Sequence, residues 1–169
     1  MSMWNWIKNL FSDKEKEEVK INKEIILYSS SDAVSADEKL RFRFQLIGSK
    51  CNLTIFSDYD SLYHSVYGET DINGKLGKCY LKIDGDENFK TMTGTFSCRY
   101  PFVVLTVEDI NLSDFLENDF TKCRIMSRSC YVDTCLDLND YRFNRKLKAV
   151  IRDLLNRYEI LTTNPTKDL

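Results

Sequence analysis

Leu40, Phe42, Phe44 and Leu46 alternate with Arg41, Arg43 and Gln45, the clearest period of two in the chain. Such alternation places the apolar side chains on one face of a half-exposed strand and the polar ones on the other. Gly48-Ser49-Lys50 can then turn the chain into Cys51–Ser57, which predicts a hairpin. Further strands are expected at Glu24–Ser29, Lys78–Ile83, Phe89–Cys98, Phe102–Val107, Cys123–Met126 and Cys130–Val132. Asp84-Gly85, between Lys78–Ile83 and Phe89–Cys98, is a strong hairpin signal. Spacings of about ten residues with short connections favour antiparallel over parallel pairing. Asp58–Tyr67 fits either a short helix carrying Leu62 and Val66 or one more strand.

Toward the C-terminus the period lengthens. Phe143, Leu147, Val150, Ile151, Leu154 and Tyr158 recur at i, i+3/i+4, and Asn139 or Asp140 can cap the helix they predict. Burying that stripe contributes roughly 1.5–3 kcal/mol per large apolar side chain before entropy is deducted, so the helix packs on the sheet. At the other end Trp4, Ile7, Leu10 and Phe11 fall along one helical face, with Trp6 at its edge. Asp13 to Glu18 follows with four acids and two bases and nothing to bury, as a solvated extension or tether. The expected organisation is an N-terminal amphipathic helix and charged tether over 1–20, one α+β domain over 21–161, and a frayed tail over 162–169. The fold class is α+β: an antiparallel β-sheet packed on one face by the C-terminal amphipathic helix, with the N-terminal helix docked or free.

Composition changes this picture little. A chain of 169 residues that is 43% hydrophobic and 30% charged fits one globular domain with a real core. A net charge of −2 excludes a uniformly basic nucleic-acid binder but not a local basic face. The six cysteines, at 51, 79, 98, 123, 130 and 135, form no CxxC pair. They are expected to be reduced and mostly buried, in a cytoplasmic protein. No apolar run approaches the ~18 residues of a membrane span.

Chemistry-bearing motifs fail on spacing. General acid/base work falls most often to histidine, and His64 is alone, with no aligned nucleophile around it. The glycines of Gly74-Lys75-Leu76-Gly77-Lys78 are too close for a phosphate loop, and Cys79 stands where Ser or Thr must hold magnesium. In a calcium loop starting at Asp84, Phe89 takes the glycine position and Thr95 replaces the final Glu. Neither metal nor cofactor is expected. Carboxylates around Asp58 and Asp60 could still do chemistry if their separation suited it.

Three surface features remain, the first two weighed against an ordinary solvated face and the third against a helix folded back on its own sheet. Glu108, Asp109, Asp114, Glu117 and Asp119 form an acidic run with Phe115 and other apolar residues interleaved. That pattern suits a basic protein partner, since charge complementarity speeds association and sets specificity. The leading expectation is therefore a non-catalytic inhibitor, immunity or adaptor protein, compatible with phage or bacterial accessory proteins. Arg142, Arg145, Lys146, Lys148, Arg152 and Arg157, against Asp140 and Asp153, leave a local charge of +4 on the C-terminal helix. The alternative is thus a nucleic-acid-associated accessory protein that tracks phosphates with this helix. Trp4, Trp6, Ile7, Leu10 and Phe11 supply the third, a helix for a membrane surface or a partner's apolar groove.

Overall fold

The alternation at Leu40–Leu46 becomes a strand, Leu40–Ile47, in which Leu40, Phe42, Phe44 and Leu46 are all fully buried. A computed structural model describes residues 25–58, 72–127, 131–135 and 141–163. Its elements are β1 (Ile26–Tyr28), β2 (Ala33–Val34), β3 (Leu40–Ile47), β4 (Lys50–Asp58), β5 (Leu76–Ile83) and β6 (Phe89–Arg99). They continue with β7 (Phe102–Val107), α1 (Leu112–Glu117), β8 (Phe120–Met126), β9 (Tyr131–Cys135) and α2 (Arg142–Thr163). All strand pairs are antiparallel, in the order β1-β3-β4-β7-β6-β5-β8-β9, and β2 lies beside β1 on the same edge of β3. The architecture is α+β and mostly sheet.

Short connections carry the expected turn chemistry. Ile47 pairs with Lys50, which leaves Gly48 and Ser49 as the turn, with Gly48 at φ 60°. At the β5–β6 hairpin Gly85 takes φ 78°, a conformation that costs glycine nothing. Asp86 accepts a hydrogen bond from the Asn88 N–H at 2.9 Å in the same turn.

β6 serves two neighbours in succession. Its first part pairs with β5 (Lys82 to Phe89 through Leu76 to Thr95), and its last part with β7 (Thr95 to Thr106 through Arg99 to Phe102). Gly94 stands where the partner changes, and a Cβ there would collide with the Thr106 carbonyl. The Phe96 ring lies over Gly77 of β5, where a side chain would have no room.

The sheet curls. Phe143 of α2 meets Phe42 of β3 edge-on, with ring centroids 5.2 Å apart. The next residue, Asn144, accepts from the Phe120 N–H and donates to the Phe120 carbonyl of β8, each at 2.9 Å. A single ring, Phe115 of α1, spans from Phe44 of β3 (5.8 Å) to Phe120 of β8 (5.6 Å). Four strands separate β3 from β8 in the pairing order. A flat sheet would hold those two strands about 24 Å apart, at ~4.8 Å per step. The sheet therefore wraps around α1 and α2, and its inner face, with Leu147, Ile151, Leu154 and Tyr158 of α2, makes one core.

Several expectations shift. β2 was not foreseen, the strand expected at Cys130–Val132 is Tyr131–Cys135, and α2 runs through Thr163, into the expected tail. The predicted N-terminal helix with Trp4, Trp6, Ile7, Leu10 and Phe11, the stretch after Asp58 including His64, and residues 164–169 lie outside the described residues.

Candidate functional site

With the inner face closed by helices, the register decides which side chains share the outer face. β5 brings Lys78, Tyr80 and Lys82 there, and both of its neighbours are known residue by residue. Phe89, Lys82 and Lys122 form one row across β6, β5 and β8. Thr91, Tyr80 and Arg124 form the next, and Thr93, Lys78 and Met126 the third. This three-by-three grid holds four cations and two aromatic rings, and its middle row continues into β9 with Asp133 opposite Arg124.

Its electrostatics oppose the fold. Lys82 stands directly opposite Lys122, and like charges in cross-strand register destabilise a sheet. The register shifts immediately after this pair, between Lys82 and Ile83, and Lys122 is followed in register by Phe120, so Thr121 is the extra residue of a bulge. Bulges re-aim side chains and gather beside functional sites. The Lys82 ammonium lies 5.7 Å from the centroid of the Phe89 ring, which is itself 46% exposed. Lys78, Lys122 and Arg124 are exposed, and Tyr80 and Lys82 are half-buried.

The same face continues across β6, β7, β4 and β3. Arg99, Lys50, Arg41 and Arg43 add cations, and Thr95, Thr106 and Thr54 line up in register between them. Phe56 packs edge-on against Phe102 at 5.7 Å, and the Arg43 guanidinium lies 4.7 Å over the Phe56 ring. Arg43 is also held by both carboxylate oxygens of Asp32 at 2.9 and 3.0 Å. That hydrogen-bonded carboxylate raises the Arg43 pKa above its ordinary value. A shallow recess of about 320 Å³ between Tyr28, Ser29, Ser30, Ser31, Asp32 and Arg43 lies beside this pair, with its cation already met. Among the described strand residues two acids share the outer face by register, Asp58 on β4 and Asp133 on β9, the latter directly opposite Arg124.

The acidic run is placed differently from its sequence reading. Phe115 is fully buried between Phe44 and Phe120, so it is core and offers a partner nothing. Asp114 is the counter-ion of Lys90, whose ammonium donates to it at 2.6 Å and lies 5.7 Å from the Phe115 ring. Asp119 is bonded by Lys148 of α2, which also donates to the Asn118 carbonyl at 2.7 Å. Glu108, Asp109 and Glu117 remain exposed. The Asp84 N–H bonds to the Asp119 carbonyl at 2.8 Å, so the exposed turn of Asp84, Asp86 and Glu87 joins the same end of the sheet.

On α2 the cations divide. Arg142, Arg145, Lys146 and Arg152 are exposed. Lys148 is engaged as described, and Arg157 bonds Asp153 at 3.1 Å and the Tyr28 carbonyl at 2.7 Å, so these two fasten the helix to the domain. Residues Phe143, Leu147, Ile151 and Leu154 bury the opposite side of α2, so its exposed cations and the outer-face grid point away from each other.

Thiol and metal chemistry is sparse. No disulfide joins Cys51, Cys79, Cys98 and Cys123, and the Cys79 and Cys123 sulfurs touch at 3.7 Å inside the core. Burial pushes the Cys51 thiol up to about 12, which keeps it neutral and a poor nucleophile. Among the described residues no three His, Cys, Asp or Glu side chains gather as a metal set, and no helix is long and apolar enough to cross a membrane.

Sequence reasoning missed the grid. Each strand's period of two assigns Lys78, Tyr80 and Lys82, or Lys122 and Arg124, to a polar side, but only the register shows that those sides adjoin. The fold and this face define a curled antiparallel sheet filled by a C-terminal helix, with a cationic, aromatic outer surface. The chain matches no protein-family model, no curated protein and no solved structure.

Proposed function

We propose that this protein is a non-catalytic binding module whose recognition surface is the outer face of the sheet around β5, β8 and the first half of β6. The observation that carries this reading is Lys82 facing Lys122 in register, with Lys78 on the same strand face and the exposed Phe89 ring beside them. Such a grouping lowers stability and is retained where a bound anionic partner needs it. The test is retention of macromolecules by the tagged full-length chain from its own cells, wild type against Lys82→Thr/Lys122→Thr. Loss of the retained species in the variant supports the reading, and unchanged retention sinks it.

A second reading keeps a basic protein as partner, at the acidic end of the sheet. What favours it is the Asp84–Glu87 turn, bonded through the Asp84 N–H to the Asp119 carbonyl at the end of the acidic segment. Reversing Glu108, Asp109 and Glu117 to Lys separates the two: this variant loses the partner only if the acidic end binds it.

A further inference from the structure

Resting on the outer-face reading, we infer that the grid binds single-stranded nucleic acid, phosphates on Lys78, Lys82 and Lys122, bases on the Phe89 and Tyr80 rings. An acidic protein would be served by the cations alone. The rings are what distinguish this surface: Phe89 is 46% exposed beside the Lys82 ammonium, and Tyr80 lies in register between Arg124 and Thr91. Cations that follow a backbone, with aromatic side chains on which unpaired bases stack, are how proteins hold single strands. The row spacing is about 6.8 Å along each strand and about 4.8 Å between strands, so neighbouring rows can serve successive nucleotides. Threonine hydroxyls at 91 and 93 add neutral donors to the same rows. A duplex is a poor fit. Its bases are read by a helix or ribbon that enters a groove, and the grid is a continuous sheet surface with no projecting element.

Fluorescence anisotropy with the full chain tests this, using labelled oligo-dT and oligo-U of about 15 nucleotides, the matching duplex, and heparin as a polyanion without bases. The expected result is saturable single-strand binding at about 50 mM salt, weaker duplex binding, and affinity that falls linearly on a log–log plot against salt. Lys82→Thr/Lys122→Thr should weaken single-strand binding at least ~10-fold and flatten the salt slope by about 1.4, two contacts' worth. Tyr80→Leu/Phe89→Leu should weaken oligonucleotides by about fivefold or more and leave heparin unchanged. Arg145→Glu/Lys146→Glu/Arg152→Glu on the far side should bind as wild type. Absence of saturable single-strand binding overturns the inference, as does preference for duplex, equal loss of heparin in the ring variant, or equal loss in the helix variant. If oligonucleotides fail to bind while Lys82→Thr/Lys122→Thr still loses a cellular protein, the nucleic-acid inference falls and the outer-face reading stands.

Discussion

Replacing Lys122 by Glu should make this protein more stable and a worse binder. Lys122 is exposed on β8 and stands opposite Lys82 of β5, so the substitution turns a like-charge cross-strand pair into an opposite-charge one. Cross-strand charge pairs contribute roughly 0.2–1 kcal/mol, and like charges cost a similar amount, giving a swing of about 0.4–2 kcal/mol. Lys122 is exposed and such pairs are screened, so the lower half of that range applies, about 0.5–1 kcal/mol. For a chain of this size that raises Tm by roughly 1–4 °C.

Thermal melts at low salt and at about 1 M NaCl separate the electrostatic term, because the Debye length falls to about 3 Å at the higher concentration. Lys122→Gln, which removes the repulsion without adding attraction, should fall between wild type and Lys122→Glu. A Lys122→Glu protein that melts no higher than wild type at low salt would refute the argument. A gain that persists undiminished in high salt would do the same, since it would then come from packing or strand propensity. If the gain is real and binding drops, stability has been exchanged for function at this position.

Other substitutions test the architecture. Asn144→Ala should cost about 2–5 kcal/mol in urea unfolding, because it strands both the N–H and the carbonyl of Phe120 against α2; a loss under about 1 kcal/mol would mean that this clamp does not hold the curl. Asp114→Lys should destabilise by roughly 1–3 kcal/mol, since Lys90 would lose its counter-ion beside the Phe115 ring, whereas Glu117→Lys should shift stability by less than about 0.5 kcal/mol. Equal effects at 114 and 117 would show that the Lys90 pair contributes nothing. Cys51 keeps its proton when folded up to about pH 12, while in the unfolded chain it loses it near the ordinary value of 9.0. Its contribution is thus complete below pH 9 and fades from there to about 12, by about 1 kcal/mol per pH unit, as the unfolded state alone ionises. Comparing Cys51→Ala with wild type in urea across that range should show a steeper fall of stability with pH in wild type than in the variant, and equal slopes would refute the assignment.

The elements of this fold could be read from the chain wherever one period dominates. β3, β4 and α2 follow their apolar spacing to within a few residues, because one buried face per element leaves a single register of side chains that satisfies the core. The short edge strand β2 pairs just two residues, too few for any period to show. Phe115 illustrates the opposite failure. Its position among Asp114, Glu117 and Asp119 resembles an apolar anchor on an acidic surface, yet in a one-and-a-half-turn helix the residue that faces inward is surrounded in sequence by those that face out. Asp114 is flanked in sequence by acids, and only the tertiary structure shows Lys90 opposite it, twenty-four residues earlier in the chain.

The site escaped for a different reason. Lys78 and Lys82 stand more than thirty-five residues before Lys122 and Arg124, and the chain between them passes through β6, β7 and α1 before returning to the free edge of β5. Composition cannot register such a meeting, because the acids of the β5–β6 turn and of the 108–119 segment cancel the lysines in any local count. The fold sorts the two signs instead. The acids of the β5–β6 turn and of the 108–119 segment lie off the outer face, while Lys78, Lys82 and Lys122 share it, so a chain of net charge −2 presents a locally positive patch. A charge pattern that balances in sequence and separates in space is what an interaction surface requires, since neutrality overall limits non-specific attraction while the local field sets the partner. The Lys82–Lys122 register is where that separation is carried furthest against the interests of the fold, and it is therefore the position at which a change in stability and a change in binding should be opposite in sign.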